Sequence, residues 1–140
     1  MEATLYMPIA IFLMVGGVDF GMAFSAHATV GKSVRDAARY LGSLPTWPTP
    51  VACNGWAILN AQNLAVYGNI AGTGSPLIPG WLPANVNVSF QPDCSDPDFK
   101  ITVSASPTYT TLMLGTVFPG IATLPLPAQH VQESAGGFDG

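Results

Sequence analysis

Charged residues are scarce in this chain, and basic residues are the scarcest. Only 9% of its 140 residues are Asp, Glu, Lys or Arg, against about 25% in an average soluble domain. After residue 40 a single basic residue, Lys100, stands against five acidic ones. Nucleic-acid binding needs clustered Lys and Arg, so the composition predicts no nucleic-acid partner. The hydrophobic share of 49% can build a core, and it also predicts apolar surface that needs covering.

Motifs for catalysis or cofactor binding are also missing from the sequence. There is no G-x-S-x-G elbow, carboxylate–histidine pair, haem-attachment C-x-x-C-H or phosphate loop. His27 and His130 lack acidic neighbours at ligand spacing, which favours surface or interface histidines over a metal site. Asp93, Asp96 and Asp98 lack the glycine and distal glutamate of a calcium loop, which favours a solvated turn. The sequence therefore predicts a protein that is not an enzyme and has no cofactor or metal.

Cysteine occurs only twice, as Cys53 and Cys94, each flanked by loop-type residues. In an oxidising compartment the two are predicted to form one disulfide, and two free thiols are the alternative. Closing a loop of about 40 residues would stabilise the fold by roughly 4 kcal/mol in the chain-entropy model.

The most apolar part of the chain is residues 3–24, where Asp19 is the only charged residue. The segment is long enough to cross a bilayer, which takes about 20 apolar residues. A cleavable secretory signal fits less well, because no basic region precedes the run and the helical pattern continues beyond it. A carboxylate within such a span costs about 2.5–3.5 kcal/mol. A simple membrane anchor therefore does not explain Asp19 or Glu2, whereas a helix that moves from lipid into a protein bundle explains both.

Beyond the apolar run the helical pattern becomes amphipathic. The apolar stripe consists of Val30, Val34, Ala37, Ala38 and Leu41, and the opposite face carries Lys32, Arg35, Asp36 and Arg39. Gly42 and the following Ser-Leu-Pro form a stop signal. We therefore predict one helix over about residues 3–41, roughly 60 Å long, with a kink at Pro8 and a second weak point at Gly16-Gly17.

The rest of the chain is predicted to be a small body with one short helix and an antiparallel sheet. The helix covers 56–67, with Asn54 as its cap and Gly68 as its stop. The predicted strands, taken from alternating apolar residues, are 86–90, 99–106, 109–114 and 122–132. Pro125 and Pro127 restrict the last strand to an edge or to its start.

The predicted fold class is α+β, with two domains. Residues 1–42 form the long N-terminal helix, and residues 43–140 form the globular body. A small antiparallel sheet has one face to bury, and the amphipathic half of the long helix is its predicted partner.

The first 40 residues resemble TadE-like pseudopilins of the tight-adherence (Tad) branch of type IV pili. That family has a glutamate near the start of the helix, with a proline six residues after it and a second acid seventeen residues after it. The second acid opens an acid-Phe-Gly triplet, and an Ala-Ala-Arg-rich stretch follows. The matching residues are Glu2, Pro8, Asp19-Phe20-Gly21 and the VRDAARY run at 34–40, with a looser likeness at 64–69. Two departures are Asp19, where Glu is commoner, and Met22, where a basic residue is common.

The resemblance implies a type IV pilin-like structural subunit, major or minor, that polymerises through its N-terminal helix into an extracellular adhesion filament. The implied partners are further copies, other pilins, prepilin peptidase and the inner-membrane assembly machinery. Before assembly the helix would lie in the inner membrane with the body in the periplasm. The implied assembly contacts are Glu2, Pro8, Asp19, Phe20, Gly21, Lys32, Arg35 and Arg39.

Two of these residues carry specific expectations. Glu2 resembles the pilin glutamate that meets the N-terminal amine of a neighbouring subunit, a pair that favours correct register. Asp19 is expected to find polar or basic neighbours in a bundle, such as Lys32 or Arg35 of a staggered subunit. The alternative function is an inner-membrane-anchored periplasmic binding or scaffold protein that does not polymerise. Glu2 and Asp19 favour the filament subunit, because a simple anchor needs neither.

Overall fold

The long N-terminal helix dominates the structure, a computed structural model that describes residues 3–46, 49–94 and 98–134, with side chains from Tyr6 onward. Helix α1 runs without interruption over Ala3–Gly42, which confirms the predicted long helix. It continues through Pro8 and through Gly16-Gly17, residues of low helical propensity.

The elements of the body follow α1 in a mixed order. They are a 3-10 turn at Val51–Cys53, helix α2 at Gly55–Tyr67, a 3-10 turn at Pro83–Asn85, strands β1 at Val86–Gln91, β2 at Lys100–Ala105 and β3 at Thr108–Thr110, the one-turn helix α3 at Leu114–Val117, a 3-10 turn at Pro119–Ile121, and strands β4 at Thr123–Pro125 and β5 at Ala128–Glu133. Helix α2 ends as predicted at Gly68, whose φ of 72° suits glycine. Asn54 is the N-cap residue of α2, but its side chain makes no capping hydrogen bond.

The strands form two antiparallel sheets where the sequence predicts one. The larger sheet has the order β1-β2-β5, and the smaller sheet pairs β3 with β4. The predicted strand 109–114 was too long, because the backbone of residues 112–114 donates to a side chain of α1 instead of to a ladder. The predicted strand 122–132 is split in two at Leu126, whose side chain is buried in the core. Pro125 ends β4, and β5 is an edge strand, in keeping with the proline restriction.

The core lies between the second half of α1 and the body. Each of the five stripe residues predicted for α1 is at most 1% exposed, and this half of the helix contacts α2, β2 and β5. The inward residues predicted for β2, from Phe99 to Ala105 in alternation, are buried as well. Both helices contribute buried alanines to this core, which allows close packing of the elements around them; they are Ala37, Ala38, Ala57, Ala61 and Ala65.

Two further contacts hold the parts of this core together. Cys53 and Cys94, 41 residues apart, form a disulfide that ties the turn before α2 to the segment after β1. At the end of α1, a Cβ added to Gly42 would lie 2.8 Å from Cγ of Gln132 and 3.3 Å from the carbonyl oxygen of Glu133. Glycine at this position therefore allows the helix to lie against the backbone of β5.

Candidate assembly and membrane-anchoring surface

The first half of α1 projects an apolar surface that the body leaves largely uncovered. From Tyr6 to Gly42 the helix is long and apolar enough to cross a membrane, with a mean hydropathy of 1.8 in its most apolar 18-residue window and only 6% of that window buried. The large apolar side chains exposed on it are Tyr6, Met7, Ile9, Ile11, Phe12, Leu13, Met14, Val18, Phe20, Met22 and Phe24. A helix that is apolar all round is stable when lipid or other helices surround it.

Asp19 is the exception on this surface, because its side chain is only 2% exposed. Its carboxylate accepts three hydrogen bonds from successive backbone N–H groups of the body. Leu112 donates to Oδ1 at 3.2 Å, while Met113 and Leu114 donate to Oδ2 at 3.0 and 2.6 Å. Both carboxylate oxygens therefore have partners within the chain. Hydrogen bonds to a charged acceptor are the stronger class, about 1.5–3 kcal/mol each, which offsets the cost of placing a carboxylate on an apolar helix.

The donors of these bonds belong to the tip of a long hairpin, residues 111–122, which we call the strap. The small β3–β4 sheet forms its base. At the neck of the strap the N–H of Thr111 donates to the carbonyl of Ala122 at 2.9 Å, and the hydroxyl of Thr111 donates to the carbonyl of Ile121 at 3.2 Å. The strap is thus a closed loop that reaches from the body to the apolar half of α1.

A second contact fixes the strap further toward the N-terminus of α1. The rings of Phe12 and Phe118 meet edge to face, with their centroids 5.9 Å apart and an angle of 82° between their planes. Phe12 and Asp19 are seven residues apart, so they lie on one face of the helix. The strap therefore runs along α1 for two turns, held by an aromatic pair at one end and by the carboxylate at the other.

The other residues implied in assembly that the structure describes lie outside this contact. Glu2 is not among the described residues. Pro8 and Gly21 are exposed on α1, and the side chain of Phe20 is 73% exposed. These residues are open to lipid or to another subunit, and their roles in assembly stay predictions.

The basic residues of α1 lie beside the body and not at Asp19. Lys32, Arg35 and Arg39 are exposed on the outer face of the helix, opposite the buried stripe. A pairing of Asp19 with Lys32 or Arg35 of another subunit stays a prediction, and the bonds to the strap already supply Asp19 with polar neighbours.

The two histidines lie in different elements of the structure. The Nε2 of His27 lies 3.2 Å from the carbonyl oxygen of Pro127, a contact between α1 and the body, and His130 is half-buried on β5. Among the described residues no three His, Cys, Asp or Glu side chains come together to hold a metal ion. Asp96, the middle residue of the acidic run, lies outside the described residues.

The strap is an element that the sequence patterns do not predict. The predicted strands 109–114 and 122–132 place its residues at the end of one strand, in a connection and at the start of another. A usable signal was present in the sequence, since residues 101–132 contain no Asp, Glu, Lys or Arg. Within that stretch, the apolar run from Leu112 to Ile121 is broken by Gly115, Pro119 and Gly120, which disfavour a regular strand.

The chain thus has a long N-terminal helix that is apolar and exposed in its first half and built into a small α+β body by its second, which confirms the predicted fold class. The family model described as TadE-like protein matches residues 1–39, which supports a TadE-like, pilin-type protein of the Tad system. No curated protein matches the chain, and no solved structure matches it. The matched family is pilus-associated and structural, and the apolar helix is compatible with anchoring in a membrane.

Proposed function

We propose that this chain is a structural subunit of a Tad-type pilus that polymerises through the first half of α1. The observation that carries the proposal is the division of α1 into two parts. Its second half completes the core of the body, while its first half is apolar and uncovered except beside the strap. Apolar surface of that extent needs lipid or other helices around it.

In this proposal the apolar half of α1 is surrounded first by lipid and later by other helices. The helix first lies in the inner membrane, with the body on the periplasmic side. It is then withdrawn into a filament whose centre is a bundle of the same helices, and the body stays outside. Further copies, other pilins, the assembly machinery and prepilin peptidase are the proposed partners. The match to the TadE-like family over residues 1–39 supports this sequence of events, because the matched region is α1 itself.

Electron microscopy of sheared surface material tests the filament directly. Cells that produce the chain with an epitope at its C-terminus are expected to carry filaments that an antibody decorates along their length or at one end. If the chain is found only as a detergent-soluble monomer under piliating conditions, it is an anchored protein that does not polymerise.

The substitution Glu2→Ala tests whether the acid at the start of the helix contributes to assembly. We expect normal membrane insertion and strongly reduced filament yield, since an acid at this position has no use in lipid but can pair with an amine in a bundle. Glu133→Ala is the matched control, because it removes an exposed carboxylate on β5, far along the chain from the apolar half of α1. Equal filament yield from both variants would contradict the role of Glu2.

A further inference from the structure

The position of the strap on α1 has a geometric consequence for a membrane-spanning state. The strap contacts the helix from Asp19 to Phe12. The described helix before Phe12, residues 3–11, is about 14 Å long at 1.5 Å per residue. The hydrocarbon core of a bilayer is about 30 Å thick. That is shorter than the bilayer core, so a span formed by the described part of α1, whose side chains are described from Tyr6 onward, includes the residues that the strap contacts and carries the docked strap down to the level of the lipid.

The outer surface of the strap is compatible with that level. No residue from 101 to 132 is Asp, Glu, Lys or Arg. Five exposed side chains of the strap are large and apolar, namely Leu112, Met113, Val117, Phe118 and Ile121, and the other exposed residues are Thr116, Pro119 and Gly120. These side chains would form a continuous apolar surface with the exposed side chains of the adjoining helix.

Most backbone N–H groups of the strap have hydrogen-bond partners within the chain, which is the second requirement of a lipid environment. An unsatisfied backbone polar group in hydrocarbon costs several kcal/mol, which excludes most irregular segments from membranes. Here Asp19 binds the N–H groups of residues 112–114. Other strap N–H groups bind carbonyls within the strap; they belong to Thr116, Phe118, Ile121 and Ala122. The Asp19 carboxylate thus accepts hydrogen bonds from strap N–H groups that would have no partner in lipid. The same N–H groups give the carboxylate the donors that lipid could not supply.

We propose that the strap is a second membrane-embedded element, which contacts lipid acyl chains in the leaflet nearer the body while the subunit is anchored. The inference rests on the membrane stage of the proposed function. It also explains why Asp19 is tolerated in a membrane-length helix. The strap N–H groups bind its charge, and the apolar strap separates that charge from the lipid.

Fluorescence quenching in vesicles tests the depth of the strap in the full chain. Val117→Cys places an environment-sensitive NBD label on the exposed side of the strap. Replacing the valine side chain leaves the Phe12–Phe118 contact intact. Met14→Cys reports on α1, and Ser75→Cys reports on an exposed loop of the body. Leu112→Cys gives an independent strap reading if the Val117 variant folds poorly. Labelling without reductant leaves the Cys53–Cys94 disulfide intact, and the unsubstituted chain is the blank.

The vesicles contain phosphatidylethanolamine and phosphatidylglycerol, with or without lipids that carry a nitroxide on the acyl chain. We expect labels at residues 117 and 14 to be blue-shifted, strongly quenched by the nitroxide lipids and protected from aqueous iodide. The label at residue 75 is expected to show the opposite pattern.

Three other outcomes each overturn the inference and remain distinguishable. If the label at residue 14 is quenched and those on the strap are not, the strap lies outside the membrane although the anchoring stage stands. If neither is quenched, the anchoring stage itself fails. If the strap label responds to protein density in the vesicle but not to nitroxide lipids, the strap binds a second copy of the chain.

Discussion

Asp19 and Leu114 are joined by a hydrogen bond of 2.6 Å although 95 residues separate them in the chain. The acceptor is the only charged side chain of the apolar segment, and the donor is a backbone N–H at the tip of a hairpin. With Leu112 and Met113 donating to the same carboxylate, the bond connects the apolar half of α1 to the strap. Asp19, the residue whose charge is costly to place in lipid, thus makes a tertiary contact within the chain.

Removal of this carboxylate is expected to release the strap without unfolding the body. In Asp19→Ala three N–H donors lose their acceptor, and leaving such donors unsatisfied costs about 1–3 kcal/mol. Amide exchange of residues 112–114 in detergent should then accelerate about tenfold or more. Asp36→Ala removes the same charge from the second half of α1, outside the strap contact, and should leave these amides unchanged. Unaltered exchange in Asp19→Ala would falsify the role assigned to the carboxylate.

The strap is also expected to depend on the small size of Gly115. A Cβ at this position would lie 2.8 Å from Oγ1 of Thr111 and 2.9 Å from Cα of Ala122. Gly115→Ala should therefore force the neck of the strap apart, at about 1–3 kcal/mol for overpacking. Limited proteolysis should cut the variant faster within residues 111–122. Gly120→Ala is the matched control, because a Cβ there meets nothing within 4 Å; similar cleavage of both variants would rule out the packing argument.

The second half of α1 is expected to behave as part of the core of the body. Leu41 is 1% exposed, and truncating a buried leucine to alanine costs about 2–5 kcal/mol. Thermal unfolding of Leu41→Ala in detergent should thus show a clearly lower melting temperature. Leu59→Ala removes the same atoms from a side chain of α2 that is 52% exposed, and its melting temperature should change little. If Leu59→Ala lowered the melting temperature more than Leu41→Ala, the second half of α1 would not be part of the core.

Reduction of the Cys53–Cys94 disulfide is expected to destabilise the body. The bond closes a loop over a separation of 41 residues, which is worth about 4 kcal/mol in the chain-entropy model. Added reductant should lower the melting temperature of the full chain, and the double variant Cys53→Ser, Cys94→Ser should melt at a similarly low temperature with or without reductant. A reductant effect that persists in the double variant would have another origin.

The sequence determined the parts of this protein whose structure follows from local pattern. The apolar run fixed the character of the first half of α1, since it lacks any charged residue but Asp19. The stripe from Val30 to Leu41 fixed which face of the second half is buried. Alternation identified β1 and β2 with nearly correct bounds, and Gly68 marked the end of α2. Each of these features depends on residues within a few turns or on one strand face.

Only the tertiary structure decided the fate of the chain after β2. Residues 109–114 alternate well enough to suggest a strand, yet β3 stops at Thr110 and the next N–H groups bind Asp19. That choice depends on a carboxylate more than 90 residues earlier, which no local pattern contains. The partition of the strands into two sheets and the contact of Phe12 with Phe118 are nonlocal in the same way. Propensity and periodicity describe the preference of a segment for its own conformation, whereas the partner of a buried charge is set by which distant backbone groups the fold brings within hydrogen-bond distance.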